Sequence, residues 1–206
     1  MAQDTYRTIE TQPEPAIFKD RKSKFIGYAF PIQQVDDVKA LIDGLKKEHH
    51  SARHWCYAYR IGIEKINERA NDDGEPSNSA GMPILNQIKA QDLTNVLVVV
   101  VRYFGGVKLG VGGLMNAYKT AAQWVLEQAD ILEKIRTKNL QIIFEYNDMN
   151  KVMRLIKEHH LDIVSQNLQE KGEIVLSIRL DDFKSLKNTF EKIHTLNVSE
   201  LNVESS

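Results

Sequence analysis

From Thr137 onward, apolar and polar residues follow a regular plan. Leu140, Ile142 and Phe144 alternate with more polar neighbours over Thr137 to Tyr146, which predicts a half-buried strand. Met149, Val152, Met153 and Ile156 then recur at helical spacing. Asn147 or Asp148 is placed to cap that helix through a side-chain oxygen. Ile163 to Leu168 and Glu173 to Leu180 predict two strands around a turn at Glu170, Lys171 and Gly172. Asp181 or Asp182 is placed to cap a second helix, with Phe183, Leu186, Phe190 and Ile193 on one face. Leu196 to Val203 predicts a last strand. The order is βαββαβ, a ferredoxin-like arrangement.

The earlier part of the chain is more mixed. Tyr6 to Thr11 and Ser23 to Pro31 predict strands. Val35, Val38, Leu41, Ile42 and Leu45 make a helical stripe, and Asp36 and Asp37 suit the positive end of its dipole. His54 to Arg60 alternates, with Arg53, Trp55, Tyr57 and Tyr59 on one face and His54, Cys56 and Ala58 on the other. Asn71 to Met82 reads as a polar loop, and Pro83 suits the first turn of a short helix through Ile88. Asn95 to Arg102 is apolar throughout, as a strand covered on both faces is. A glycine-rich loop follows, and then a helix from Gly113 to about Gln128 that packs Leu114, Tyr118, Ala121 and Val125. The two patterns predict an α+β chain of two domains, residues 1–131 and 132–206.

Composition narrows the possible functions. Apolar residues are 42% and charged residues 27% of 206, the balance of a folded globular chain. Lys and Arg number 27 against 28 Asp and Glu, a net charge of −1. That excludes a globally basic nucleic-acid binder and leaves room for a local patch. Cys56 is the single cysteine, so no internal disulfide forms and a reducing, cytoplasmic setting is expected. The first ten residues are polar, without a secretory pattern. The apolar run Val96 to Val101 is far short of the ~20 residues of a membrane helix, so no membrane partner is expected. Five of the eleven glycines fall between Gly105 and Gly113, and all five prolines lie at or before Pro83. The specialised loops therefore belong to the N-terminal domain.

Three stretches there carry candidate chemistry. Gly105, Gly106, Gly110, Gly112 and Gly113 lie between a buried strand and a helix, flanked by Arg102 and Lys108. Such a loop can bring backbone N–H groups to an anion, with the helix dipole assisting. The same glycines can instead serve positive φ and close packing. The spacing GGxxxGxGG matches neither the dinucleotide fingerprint nor the P-loop. The second stretch holds Asp72, Asp73, Gly74, Glu75, Pro76 and Ser79. Three carboxylates suit a hard cation or a partner, but the spacing is not that of a calcium loop, and a locally hydrogen-bonded turn uses the same residues. The third pairs His54 with Cys56 on one strand face. That pair suggests a nucleophile or ligand set, or a buried thiol beside a bonded histidine; no metal site is assigned. Lys24, Arg53, Arg102 and Lys108 are expected to contact phosphate where nucleic acid binds, and Tyr103 is expected to line the site with His54 and Cys56. His49-His50 and His159-His160 end predicted helices, where a cation suits the dipole.

The stretches ARHWCYAY (52–59), DDGEPSNSAGMPIL (72–85) and VVVRYFGGVKLGVGGLMNAY (99–118), with Ser23-Lys-Phe25 upstream, resemble the bacterial YigZ family and the homologous domain of eukaryotic IMPACT. The resemblance spans about residues 20 to 130. It implies an N-terminal βαβ domain like that of a small-subunit ribosomal protein and of elongation factor G domain IV, often with a left-handed crossover. It further implies a C-terminal domain like the last domain of elongation factor G. IMPACT regulates translation by competing for an activator of a stress-responsive kinase. No stretch here reads as an RWD-type partner-binding domain, so that kinase-linked role is not carried over. What carries over is a non-enzymatic, translation-associated module that contacts RNA, the ribosome or a translation-related protein and needs no cofactor. The alternative is an enzyme acting on a phosphorylated small molecule, with the glycine loop holding phosphate and Asp72, Asp73 or Glu75 binding magnesium or acting as base.

Overall fold

The computed structural model describes residues 4–201. In chain order the elements are β1 (Thr5–Ile9), β2 (Ala16–Asp20), β3 (Ser23–Pro31), α1 (Asp36–Glu48), β4 (His54–Ile61), β5 (Asn67–Asn71), α2 (Gly81–Ala90), β6 (Val96–Tyr103) and α3 (Gly110–Glu127). They continue with β7 (Ile131–Ile135), β8 (Thr137–Phe144), α4 (Met149–Glu158), β9 (Asp162–Leu168), β10 (Gly172–Arg179), α5 (Leu180–Glu191) and β11 (Asn197–Leu201). The chain divides into two compact units, Tyr6–Lys134 and Ile135 onward, the latter joined by the residues up to Thr5.

The N-terminal unit is built on a five-stranded antiparallel sheet in the order β2-β3-β6-β4-β5. The central strand β6 explains its own composition. Val96, Val98 and Val100 point into a core shared with α2 and α3. Leu97, Val99 and Val101 point into a second core shared with α1. Both faces are therefore covered, so no polar residue alternates in from Val96 to Val101. The alternation of β4 is as expected: Cys56 and Ala58 enter the first core, Tyr59 enters the second, and Trp55 and Tyr57 pack against the second. A separate two-stranded sheet pairs β1 with β7.

The C-terminal unit is a four-stranded antiparallel sheet in the order β11-β8-β10-β9, the ferredoxin-like order. Leu140, Ile142 and Phe144 of β8 meet Val152 and Ile156 of α4 and Phe183, Leu186 and Phe190 of α5 in a third core. The whole chain is thus a two-unit α+β fold.

Several local expectations are corrected. Strands β2, β5 and β7 did not show in the hydrophobic pattern. Helix α3 starts at Gly110 rather than Gly113, because burial of Leu109 and Leu114 outweighs the poor helix propensity of glycine. Asp148 makes no capping bond to α4; its carboxylate takes Lys151 Nζ at 2.7 Å, after a short 3-10 turn over Tyr146–Asp148. Asp181 and Asp182 lie inside the first turn of α5, where they face the dipole without capping it. Of the last predicted strand, Asn202 and Val203 fall outside the described residues.

Candidate functional site

The N-terminal ends of β3 and β4 and the C-terminal end of β6 lie side by side. Lys24 is opposite Tyr103 across β3 and β6, and His54 is opposite Arg102 across β4 and β6. The loop between β5 and α2 folds onto this end. Its folding is directed by Asp72. One carboxylate oxygen accepts the N–H groups of Ala80 and Gly81 at 2.9 and 2.8 Å, and the other accepts that of Asn78 at 2.8 Å. Asp72 thereby caps α2 from outside the helix, since Ala80 at the N-cap has no oxygen to offer. Asp73 accepts the Trp55 N–H at 2.7 Å, and its own N–H is held by the Asn71 side chain at 2.8 Å. Ser79 is buried and donates its hydroxyl to the Pro76 carbonyl at 2.6 Å, closing the turn.

This loop carries Glu75 inward. Its side chain is 5% exposed, and one oxygen accepts Arg102 at 2.5 Å and the Tyr118 hydroxyl at 2.8 Å. The Arg102 side chain is 6% exposed. Its guanidinium lies between the rings of Phe25 and Phe104, with Cζ at 5.3 and 5.4 Å from their centroids. The Cys56 sulfur sits 3.0 Å from the Asp72 carbonyl and 3.3 Å from the Tyr118 hydroxyl. Burial pushes the Cys56 thiol well above its ordinary range, and the carboxylates of Glu75, Asp73 and Asp72 add to that, against the Tyr118 hydrogen bond. The thiol therefore stays protonated at neutral pH and is a poor nucleophile. Burial likewise raises the Tyr118 hydroxyl, with Cys56 and Glu75 adding to it. His54 donates Nδ1–H to the Asp73 carbonyl at 2.9 Å, because a carbonyl can only accept. That bond orients the ring and leaves Nε2 facing Glu75 at 4.0 Å.

All three sequence stretches therefore converge. Arg102, Glu75, Asp72, Asp73, His54 and Cys56 share one connected network. Tyr118 completes it, together with Phe25 against the Tyr118 ring at 5.1 Å. By its spacing in the sequence Tyr118 reads only as a packing residue of α3. A tyrosine among the small and aliphatic residues of a buried helix face was the available signal, because its hydroxyl needs a partner.

The glycine loop sits at the rim. Gly105 donates its N–H to Ser23 Oγ at 3.1 Å. A side chain there would place its Cβ 2.1 Å from the Lys22 carbonyl carbon, so only glycine fits this close approach. Gly106 and Gly110 have φ of +83° and +75°. Gly110, Gly112 and Gly113 lie in the first turn of α3, and around Gly112 there is open space. The first turn of α3 has no side-chain cap and no acidic residue. Lys108 and Arg53 are exposed, and Lys24 is half-buried with its ammonium 5.9 Å from the Tyr103 ring centroid. Arg21 reaches the Lys108 carbonyl at 3.4 Å, which brings the exposed β2–β3 turn, Arg21 and Lys22, beside the loop. Five cations, Arg21, Lys22, Lys24, Arg53 and Lys108, thus gather at one end of the sheet. Among the described residues no group of three or more His, Cys, Asp or Glu is arranged to hold a metal ion.

A second network lies under the same end. His49 accepts or donates to Tyr28 at 2.6 Å through Nε2 and to Tyr103 at 2.8 Å through Nδ1. Burial lowers its pKa below 6.5, and Lys24 acts in the same direction while Glu48 opposes it. His49 is therefore a neutral, bonded ring, and the expected cation at the end of α1 is corrected. Burial holds the Tyr28 hydroxyl up at about 12, reinforced by Glu48 and Tyr103, so it remains a donor.

Comparison with known proteins follows these residues. Residues 21–126 match the Impact N-terminal domain family, a span that contains the whole network. An "IMPACT family member" of Haemophilus influenzae is 32% identical over 160 residues, covering 77% of this chain and 78% of that protein. The "IMPACT family member YigZ" of Escherichia coli is 30% identical over 163 residues, covering 78% and 80%. A solved structure described as a hypothetical protein superposes with a TM-score of 0.68 at 24% identity, covering 99% of this chain and 100% of that one, and so shares the fold.

Proposed function

The chain belongs to the IMPACT family, and from that premise we propose that it is a non-enzymatic, translation-associated cytoplasmic module whose N-terminal unit binds RNA or the ribosome. The translational setting comes from the family resemblance. The observation that carries the binding surface is the division of labour between motif residues. Glu75, Arg102, Tyr118 and Cys56 satisfy one another inside the unit. Their network holds the β5–α2 loop and the β6–α3 loop in place. Outside it stand Arg21, Lys22, Lys24, Arg53 and Lys108, with Lys108 two residues before the first turn of α3, which has no side-chain cap. Cations beside a helix start that no side chain caps are the chemistry that holds a phosphate backbone. Arg102 acts in this reading as a positioning residue, because its charge is already matched by Glu75.

The test is binding of a labelled single-stranded RNA 12-mer to the full chain at low ionic strength. Wild-type protein is expected to bind, and a Lys22→Glu, Lys108→Glu variant to bind at least tenfold more weakly. Both residues are exposed, so neither change should disturb folding. Binding unaffected by the double reversal, or no binding at all below 50 mM salt, would remove the reading.

A further inference from the structure

A different face of the N-terminal unit carries its own signature. Helices α2 and α3 pack side by side, and between them runs a groove of about 490 Å³ lined by Met82, Pro83, Asn86, Met115, Asn116 and Lys119, with Asn78 of the β5–α2 loop at its edge. On α3, Val111 stands one turn before Met115 on the same helix face. Val111 is 54% exposed and Met115 44%. Beyond the helix start, Val107 and Phe104 are 43% and 48% exposed. Four large apolar side chains in twelve residues are thus left in water on loop and helix. Isolated exposed apolar residues are ordinary, but Val111 and Met115, exposed one turn apart with Met115 in the groove wall, mark an interaction surface.

Charge says what fits there. From Pro76 to Leu126 the chain has one acidic residue, Asp92, against Lys89, Arg102, Lys108 and Lys119; Lys89 pairs with Glu68 and the buried Arg102 with Glu75, so Lys108 and Lys119 are the charges this stretch offers to a partner. Asp92 lies beyond the C-terminal end of α2, where it pairs with Arg60. The groove and its rim therefore offer apolar area and positive charge, with Lys119 in the wall and Lys108 on the adjoining loop. Asn86 and Asn116 supply amide groups that can bond a polar edge. Methionines on both walls adapt to side chains of varied shape. Nucleic acid fits less well, because the walls present no flat aromatic ring for a base to stack on.

We propose that the α2–α3 groove docks an amphipathic helical segment of a partner protein, with acidic residues flanking its apolar stripe. The docked helix seats two or three apolar side chains between Met82 and Met115, and its acidic flank faces Lys119. This is the helix-in-groove mode, read by anchors at i, i+3 or i+4, and i+7. The groove residues Met82, Met115 and Lys119 are not among the five cations at the sheet end, and Lys108 on the adjoining loop is the one residue that both readings use.

The test uses the full chain and three labelled probes followed by fluorescence anisotropy. One is an 18-residue helical peptide with leucines at i, i+4 and i+7 and glutamates on its flanks. The second has the same leucines with lysines in place of glutamates. The third is the single-stranded RNA 12-mer. The acidic peptide is expected to bind in the micromolar range and at least tenfold more tightly than the basic one. Met115→Asp should weaken it tenfold or more, and Lys119→Glu should shift the preference towards the basic peptide. Both positions are exposed, and an unchanged thermal melt confirms that the variants fold. RNA binding should be unaffected by Met115→Asp. Equal affinity for the two peptides overturns the charge assignment, insensitivity to Met115→Asp overturns the groove, and loss of RNA binding in that variant reassigns the face to nucleic acid.

Discussion

Glu75 ties the β5–α2 loop to β6 and α3 through Arg102 and Tyr118. Two ionised side chains removed from water attract each other, but each has lost its hydration, so the pair contributes little net stability while either one alone is costly. Glu75→Gln would leave the Arg102 guanidinium buried between Phe25 and Phe104 without a counter-charge. The expected loss is about 3–5 kcal/mol, the range for breaking a buried pair. Urea unfolding of the full chain measures it, and a loss under about 1 kcal/mol would show that water reaches the pair. His49 gives a pH-dependent counterpart. Its folded pKa lies below the unfolded value of 6.5, so the unfolded state binds the proton more readily. Its contribution to stability is therefore complete above about pH 6.5 and is lost as the pH falls from there towards the lowered folded value. Wild-type protein should melt at a lower temperature at pH 5 than at pH 7. In His49→Gln that difference should shrink, even though the variant starts lower because two tyrosine hydroxyls lose their shared partner. A pH dependence identical in both proteins would assign the effect to other groups.

At the scale of elements, α2 is held by a carboxylate from outside itself. Asp72→Ala removes the acceptor for three backbone N–H groups at once, and loss of a single N-cap typically costs about 0.5–2 kcal/mol. A loss at or above the top of that range is expected. Faster amide exchange at Asn78, Ala80 and Gly81 should accompany it, while exchange in α1 stays as before. The glycine loop tests the packing role of its residues one by one. Gly105→Ala forces a Cβ into the Lys22 backbone and should be strongly destabilising, whereas Gly112→Ala meets open space and should stabilise α3 by up to about 1 kcal/mol. Equal effects at the two sites would mean that the loop is not held against the β2–β3 turn. These elements also show what the sequence could reveal. The unbroken apolar run of β6 announced a doubly covered strand, and the alternation of β4 announced which residues face which core. Strand β5, with sequence NERAN, announced nothing, because an exposed strand at a sheet edge is held by the backbone of its neighbour rather than by its own apolar pattern. Strand β2 hides for a similar reason. Arg102 was legible as a cation but not as a buried one, since the carboxylate that neutralises it lies 27 residues earlier in the chain. Spacing along a chain does not disclose a pairing made by a loop that folds back.

For the whole molecule, a net charge of −1 and a sequence pI near 6.6 mean that no long-range field draws the protein to RNA. Attraction has to come from the sheet end alone, and that limits its salt dependence. Each phosphate neutralised on a single strand contributes about −0.7 to the slope of log affinity against log salt. With the five cations at that end, Arg21, Lys22, Lys24, Arg53 and Lys108, the slope cannot be steeper than about −3.5. Lys24 lies against the Tyr103 ring and is half-buried, so a value near −3 is the expected result. Lys22→Glu, Lys108→Glu should flatten the slope by at least about 1.4, the share of two contacts. Glu75→Gln should leave the slope unchanged in whatever fraction remains folded, because Arg102 stays buried and makes no phosphate contact. A slope steeper than about −5 in the wild-type chain would require cations elsewhere in the molecule to engage the RNA, and the sheet end would then not be the binding surface.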